Sequence, residues 1–349
     1  MKTWIVGFLL AILLFGCQPV SSSTEEVSIS YLWDYVAGDY VRGTPTASGE
    51  AVYVGADDNN LHAVNASTGE ALWTYETADN VTSSPAVLGD LVYFGSWDGT
   101  VYALEATQGA VRWRYETGGW VTASPVIGGD TVYVGSHDGF FYALSAQDGD
   151  LVWRYEAGGG IQAGAVLVDD LALVGSMDNC LYALDITSGD LRWRYRTNGD
   201  IVSTPAVAGG TVFVGSVDRQ LYALDAATGR LKWTFEAEYA IESSFVISDG
   251  VVYFGANDGV LYALRAGDGQ LMWRFQTERI VRSSPVVWGN LVFVGSDDGS
   301  VYGVDRVTGR SAWSYHTGDA IAAGPTVADG RLYIGSTDRR LYAFSLDAQ

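Results

Sequence analysis

The sequence predicts an all-β fold, an eight-bladed β-propeller of four-stranded antiparallel blades. Three observations predict it. Trp falls at 33, 73, 113, 153, 193, 233, 273 and 313, a period of 40 residues without drift. Gly (55 to 335) and Asp (58 to 338) recur eight times each in phase with it. Between these markers lie short β-branched or aromatic runs bounded by Gly, Asp and Pro, four to a unit. A fixed period of this length marks a repeat architecture, in which each unit buries its apolar face against its neighbours.

In the third unit the four runs are 120–126, 131–135, 140–145 and 151–156, here strands A, B, C and D. Pro stands in strand A at 45, 85, 125, 205, 285 and 325. Proline cannot donate to a ladder, so A is expected to be an edge strand lining a central channel. The segment 31–36 reads as a strand D with no A, B or C before it. The last unit has A, B and C with no D after it. The N-terminal strand is therefore expected to complete the last blade and close the ring.

Composition fits one large β domain at 31–349. The chain has 349 residues and is 48% hydrophobic, enough to fill a sizeable core. Its 20 Lys and Arg against 41 Asp and Glu give a formal charge of −21, which argues against nucleic acid as a partner. Cys17 and Cys180 cannot build a disulfide framework, and Cys180 reads as a packed small hydrophobe.

Residues 1–17 read MKTWIVGFLLAILLFGC. One Lys and an apolar run too short to span a bilayer read as a targeting signal. The ending Leu14-Phe15-Gly16-Cys17 resembles the lipobox of bacterial lipoproteins, which implies lipidation of Cys17. Residues 18–30 are polar and Ser-rich, the composition of a flexible tether. The resemblance implies a lipid-anchored envelope protein. With Gln18 after Cys17, it implies the outer membrane, facing the periplasm, if the organism is Gram-negative.

The recurring segment Ala183-Leu-Asp185-Ile-Thr187-Ser-Gly189-Asp-Leu-Arg-Trp193, with its copies 63–73 and 223–233, resembles the tryptophan-docking motif of quinoprotein (PQQ-type) propellers. The eight tryptophans Trp33, Trp73, Trp113, Trp153, Trp193, Trp233, Trp273 and Trp313 are then structural docking residues. The turn segment 136–139, Ser-His-Asp-Gly, has the residue order of a type I turn between B and C. Its Asp needs no role beyond bonding backbone donors in the turn. A ring of eight carboxylates binding cations is the weaker alternative.

Positions that differ between repeats are free of the scaffold's demands and are candidates for function. The candidate binding face is Tyr40, Trp97, Trp120, His137, Met177, Tyr239 and Arg279. Aromatics, Met and Arg are the types enriched at interface cores. Trp97, Trp120, His137 and Met177 lie on consecutive blades and are expected to form one patch. Arg42, Gln162, Glu242 and Arg282 are placed at the channel mouth, with Glu242 and Arg282 expected to pair across adjacent blades. His62, His137 and His316 occupy different repeat positions, so no metal site and no catalytic residue is assigned.

Three functions follow. A lipid-anchored eight-bladed propeller of this motif class resembles the BamB family of outer-membrane protein assembly factors. That resemblance implies a non-catalytic interaction scaffold, a monomeric propeller with an envelope protein partner in the barrel-assembly machinery and no cofactor. Resemblance to quinoprotein dehydrogenases would instead imply PQQ with calcium. However, the blades carry no insertions that could build a cofactor site, and no adjacent Cys pair exists. A carbohydrate- or small-ligand-binding envelope propeller is the third reading.

Overall fold

The computed structural model describes residues 27–348. The signal segment with Cys17, and tether residues 18–26, lie outside the described residues. Among the described residues every regular element is a strand, and thirty-two strands form eight four-stranded antiparallel sheets. Blade 1 spans 46–76, blade 2 86–116, blade 3 126–156, blade 4 165–196, blade 5 206–236, blade 6 246–276 and blade 7 286–316. Blade 8 combines 326–348 with the N-terminal strand Val27–Val36. Strand A of each blade contacts strand A of the next, and blade 8 meets blade 1, so the ring is closed.

Closure occurs as expected. Val27–Val36 pairs antiparallel with Arg340–Ala348, from Val27 opposite Ala348 to Val36 opposite Arg340. The strand begins four residues earlier than expected. Residues 27–30, read as tether, are in the ladder. Alternating Val27, Ile29 and Tyr31 explains the extension, because Ile29 packs against the blade 7–8 core.

Strand A differs from expectation. In the third unit it is only Val126–Gly128, and residues 120–125 form an irregular segment along the inner rim. The proline has no N–H to donate to the ladder. In blade 4 Ala165 replaces it and strand A, Ala165–Val168, gains that residue, whereas in blade 6 Phe245 replaces it and strand A still begins at Val246. The edge position of A is as expected. Its rim is held by hydroxyls instead, with Ser84 N–H donating to Ser124 Oγ (3.0 Å) and Thr204 N–H to Ser244 Oγ (3.1 Å) in the next blade.

The core lies between blades. Buried side chains of blades 2 and 3 form one cluster, including Tyr93, Val101, Val132 and Leu144. Two glycines per repeat allow this close approach. A Cβ on Gly135 would lie 2.1 Å from Ile161 Cγ2 on the run into the next blade. A Cβ on Gly229 would lie 2.6 Å from the Trp193 ring of the previous blade, and Gly229 also has φ of 68°.

The tryptophans dock as the motif implies. Trp193 Nε1–H donates to Ala226 O (3.0 Å), 33 residues on, in the tight turn of the next blade. Trp33, Trp73, Trp113, Trp153, Trp233 and Trp273 repeat the bond at 2.8–3.2 Å. Trp313 differs: the residue 33 positions on, Leu346, lies inside the strand Arg340–Ala348, paired with Ile29 of the closing strand. Trp313 instead meets Phe344 edge-on at 5.3 Å.

Trp193→Ala removes this plate and its bond, and we expect a loss of about 3–5 kcal/mol. Chemical denaturation of the variant beside the wild type measures it. A midpoint unchanged by the substitution would sink the docking role.

Candidate functional site

The B–C turns and the D–A connections open on one face of the ring, and the recurring Asp joins them. In blade 3, Asp138 Oδ1 accepts from Phe140 N–H (2.9 Å) inside its own turn. Its Oδ2 accepts from Gly118 N–H (2.7 Å) on the connection arriving from blade 2. Tyr142 O–H donates to the same oxygen at 2.7 Å. The connection bond recurs in all eight blades, from Gly38 to Asp58 through Gly318 to Asp338. These carboxylates staple neighbouring blades and are spent on that task. The fourth turn position has positive φ in every blade, including Arg219 (75°) and Arg339 (74°).

Seven blades supply the tyrosine that bonds this Asp, and blade 1 replaces it with His62. His62 is buried, with Nε2 3.1 Å from Asp58 Oδ2 and Nδ1 3.0 Å from Tyr35 Oη. Burial pushes the Asp58 carboxyl up, but the His62 bond and the amides of Gly38 and Asn60 outweigh it and hold it below its ordinary value. His62 therefore belongs to the staple.

The residue before the staple Asp varies, and in five repeats its partner is the channel-mouth residue 15 positions earlier in the same repeat. Arg42 Nε lies 2.9 Å from Asp57 Oδ2. Trp97 Nε1–H donates to Thr82 Oγ1 (2.7 Å). His137 Nε2 and Thr122 Oγ1 share a hydrogen bond of 2.9 Å. Asn257 Nδ2–H donates to Glu242 Oε1 (2.8 Å), and Arg282 lies 2.5 Å from Asp297. The expected Glu242–Arg282 pair across blades is therefore overturned. Each side chain is satisfied within its own blade, because strand B delivers the turn residue directly above the inner rim.

Trp97, Trp120 and His137 come together. The two indoles stack at 4.9 Å with 20° between planes, and Trp120 meets the His137 ring at 5.6 Å. Trp120 is 49% exposed, a large apolar surface to leave in water. Met177 flanks this shelf across Gly160, whose Cβ would lie 3.4 Å from both His137 Cα and Met177 Sδ. Tyr40 and Tyr239 are exposed but stand on the connections into blades 1 and 6, away from the shelf. Arg279 borders a concavity with Asn257 and Asp297, and Gln162 is exposed without a side-chain partner among the described residues.

The donor set does not fit a quinone with calcium. The carboxylates Asp57 and Asp297, which face the channel mouth, are each held by a guanidinium, the position a divalent cation would need. Each leaves one buried Oδ1 without a partner, as does Asn257, on blades 1, 7 and 6. Among the described residues no three His, Cys, Asp or Glu side chains gather to hold a metal. Cys180 is buried, and burial together with Asp178 raises its thiol above the ordinary value, against nucleophilic use.

Fold, docking motif and face together define a quinoprotein-type eight-bladed propeller. The family model described as outer membrane protein assembly factor BamB matches residues 28–139, 78–166, 142–273 and 257–349. The chain belongs to this BamB family. Among solved structures, BamB from Moraxella catarrhalis is 24% identical, with 91% of this chain and 100% of that chain covered and a TM-score of 0.79. The computationally designed Ika8 protein is 18% identical over 90% of this chain and 99% of its own, with a TM-score of 0.80. Quinohemoprotein alcohol dehydrogenase from Comamonas testosteroni is 16% identical over 92% and 76%, with a TM-score of 0.79. A comparison with curated protein sequences finds no match.

Burial holds the His137 imidazole below its ordinary pKa. The folded state therefore takes up this proton less readily than the unfolded state. The stability tied to neutral His137 is present above about pH 6.5 and is lost as pH falls from there through the folded value. Melting curves between pH 5 and 8 should show a smaller acid-side loss for His137→Asn, which installs the residue blade 6 carries. Equal losses in variant and wild type would remove His137 from the balance.

Proposed function

We propose that this chain is a non-catalytic, lipid-anchored interaction scaffold of the bacterial envelope, working in the assembly of outer-membrane β-barrel proteins. Membership of a family described as an outer membrane assembly factor supports the setting. The anchor is the lipidated Cys17, and the propeller faces the periplasm.

One observation carries the scaffold reading: the exposed shelf of Trp97, Trp120 and His137 on a ring whose other variable turn residues are largely paired within their own blades. Stacked indoles, with the Trp97 N–H and His137 Nε2 held by Thr82 and Thr122 below, offer a rigid apolar step. Such a surface binds by burial, with little side-chain entropy to lose. The partner is an envelope protein that presents an apolar anchor to this step. The arginine-held channel carboxylates argue against dehydrogenase chemistry.

Mild crosslinking in membranes followed by recovery of the chain tests the proposal. We expect a barrel-assembly complex, with recovery reduced at least tenfold by Trp120→Ala while the melting temperature changes little. Recovery of that complex undiminished by Trp97→Ala and Trp120→Ala would remove the shelf as its contact. Binding of glycans without any protein partner would favour the ligand-binding alternative.

A further inference from the structure

The joint between blades 3 and 4 differs from the other seven, and the difference lies outside the aromatic shelf. A concavity of about 600 Å3 opens there between the outer strand of blade 3 and the B–C turn and outer strand of blade 4. Small residues leave it open. Cys180 stands where blade 3 has Phe140, blade 5 Gln220 and blade 8 Arg340 but where blades 2, 6 and 7 also have the small Thr100, Val260 and Ser300, and Gly158 adds no side chain above it. In blade 3 the Phe140 ring fills this position and carries the Arg154 guanidinium at 4.5 Å. In blade 4 the corresponding Arg194 has no ring to rest on.

Charge changes at the same place. Arg196 stands where blades 1, 2, 3 and 5 have Glu76, Glu116, Glu156 and Glu236. Arg194 and Arg196 both line the concavity, and both are exposed. Among the described residues no carboxylate lies within 4.0 Å of either guanidinium. Asp178 beneath them is already bonded to Gly158 N–H, Cys180 N–H and Tyr182 O–H. Glu156 on the rim is the one countercharge left. Two free guanidiniums side by side are out of keeping with a chain of formal charge −21.

We propose that this concavity is a binding site for a phosphate group that carries an apolar or sugar-like substituent. Arg194 and Arg196 are two residues apart on one face of a strand, so their Cα atoms stand about 7 Å apart. Two guanidiniums at that spacing converge on one tetrahedral oxyanion and offer it forked donors. The substituent lies against Tyr155 and Met177, which line the same space. The phosphate comes from a soluble phosphomonoester or from a lipid headgroup.

The repeat supplies its own test variants. Arg196→Glu and Cys180→Phe install residues that neighbouring blades already hold at these positions, so the fold tolerates both. Titration of the purified full chain with glycerol 3-phosphate and with inorganic phosphate should give saturable binding. Arg196→Glu should weaken it at least tenfold, and Cys180→Phe should weaken glycerol 3-phosphate more than inorganic phosphate. Flotation with phosphatidylglycerol vesicles distinguishes the sources: Arg196-dependent flotation assigns a headgroup, and its absence beside soluble binding assigns a phosphomonoester. No binding by either route, or binding equal in wild type and Arg196→Glu, overturns the site.

Discussion

The ring depends on one contact, made by seven of the eight repeated tryptophans, whose indole is pinned under the tight turn of the next blade. The Trp193 N–H reaches Ala226 O, while Gly229 lies against the ring where any side chain would collide. The hydrogen bond sets the height of one blade on its neighbour, and the glycine sets how near it comes. Ser-Asp turns then tie the same pair of blades on the opposite end through an amide 20 residues earlier. With both ends fixed in the same way at successive joints, the angle between blades is uniform. Uniform angles are what permit a sheet stack to return to its starting point after eight steps.

Much of this was legible because the chain is its own comparison. Trp, Gly and Asp in phase at 40 residues revealed the blade count, the docking residues and the closing strand. The run 120–126 alternates like a strand, but only Val126–Gly128 enters the ladder, and Pro125 has no N–H to give it. The first four residues of Val27–Val36 were hidden among serines, although Ile29 packs into the core. The Glu242–Arg282 expectation failed for a more instructive reason. At an offset of 15 the two variable columns hold polar partners in five repeats: Arg42 with Asp57, Thr82 with Trp97, Thr122 with His137, Glu242 with Asn257 and Arg282 with Asp297. That complementarity is visible in the letters, but only once the turn is known to stand above the rim of its own blade. The letters carry one signal for Arg194 and Arg196, the reversal of charge at Arg196 against Glu76, Glu116, Glu156 and Glu236, and it gains meaning only once that strand borders a hollow.

The division of labour follows from these contacts. Paired variable residues make the channel mouth polar, with Asp57 and Asp297 each held by a guanidinium. Two groups of side chains stand out, an apolar step where blades 2 and 3 meet and a basic hollow between blades 3 and 4. Both lie on the same quarter of the ring. A partner that covers the step also comes within reach of the hollow.

The closing strand also has a mechanical meaning. It pairs through nine residues, from Val27 opposite Ala348 to Val36 opposite Arg340, with one shift of register at Leu32. Consider a pull on its N-terminal end along the strand axis. The hydrogen bonds of the ladder are then strained together in shear, and peeling them one at a time is avoided. The strand that completes the ring is thus also the element best placed to resist tension, and a tug strong enough to free it would open the propeller.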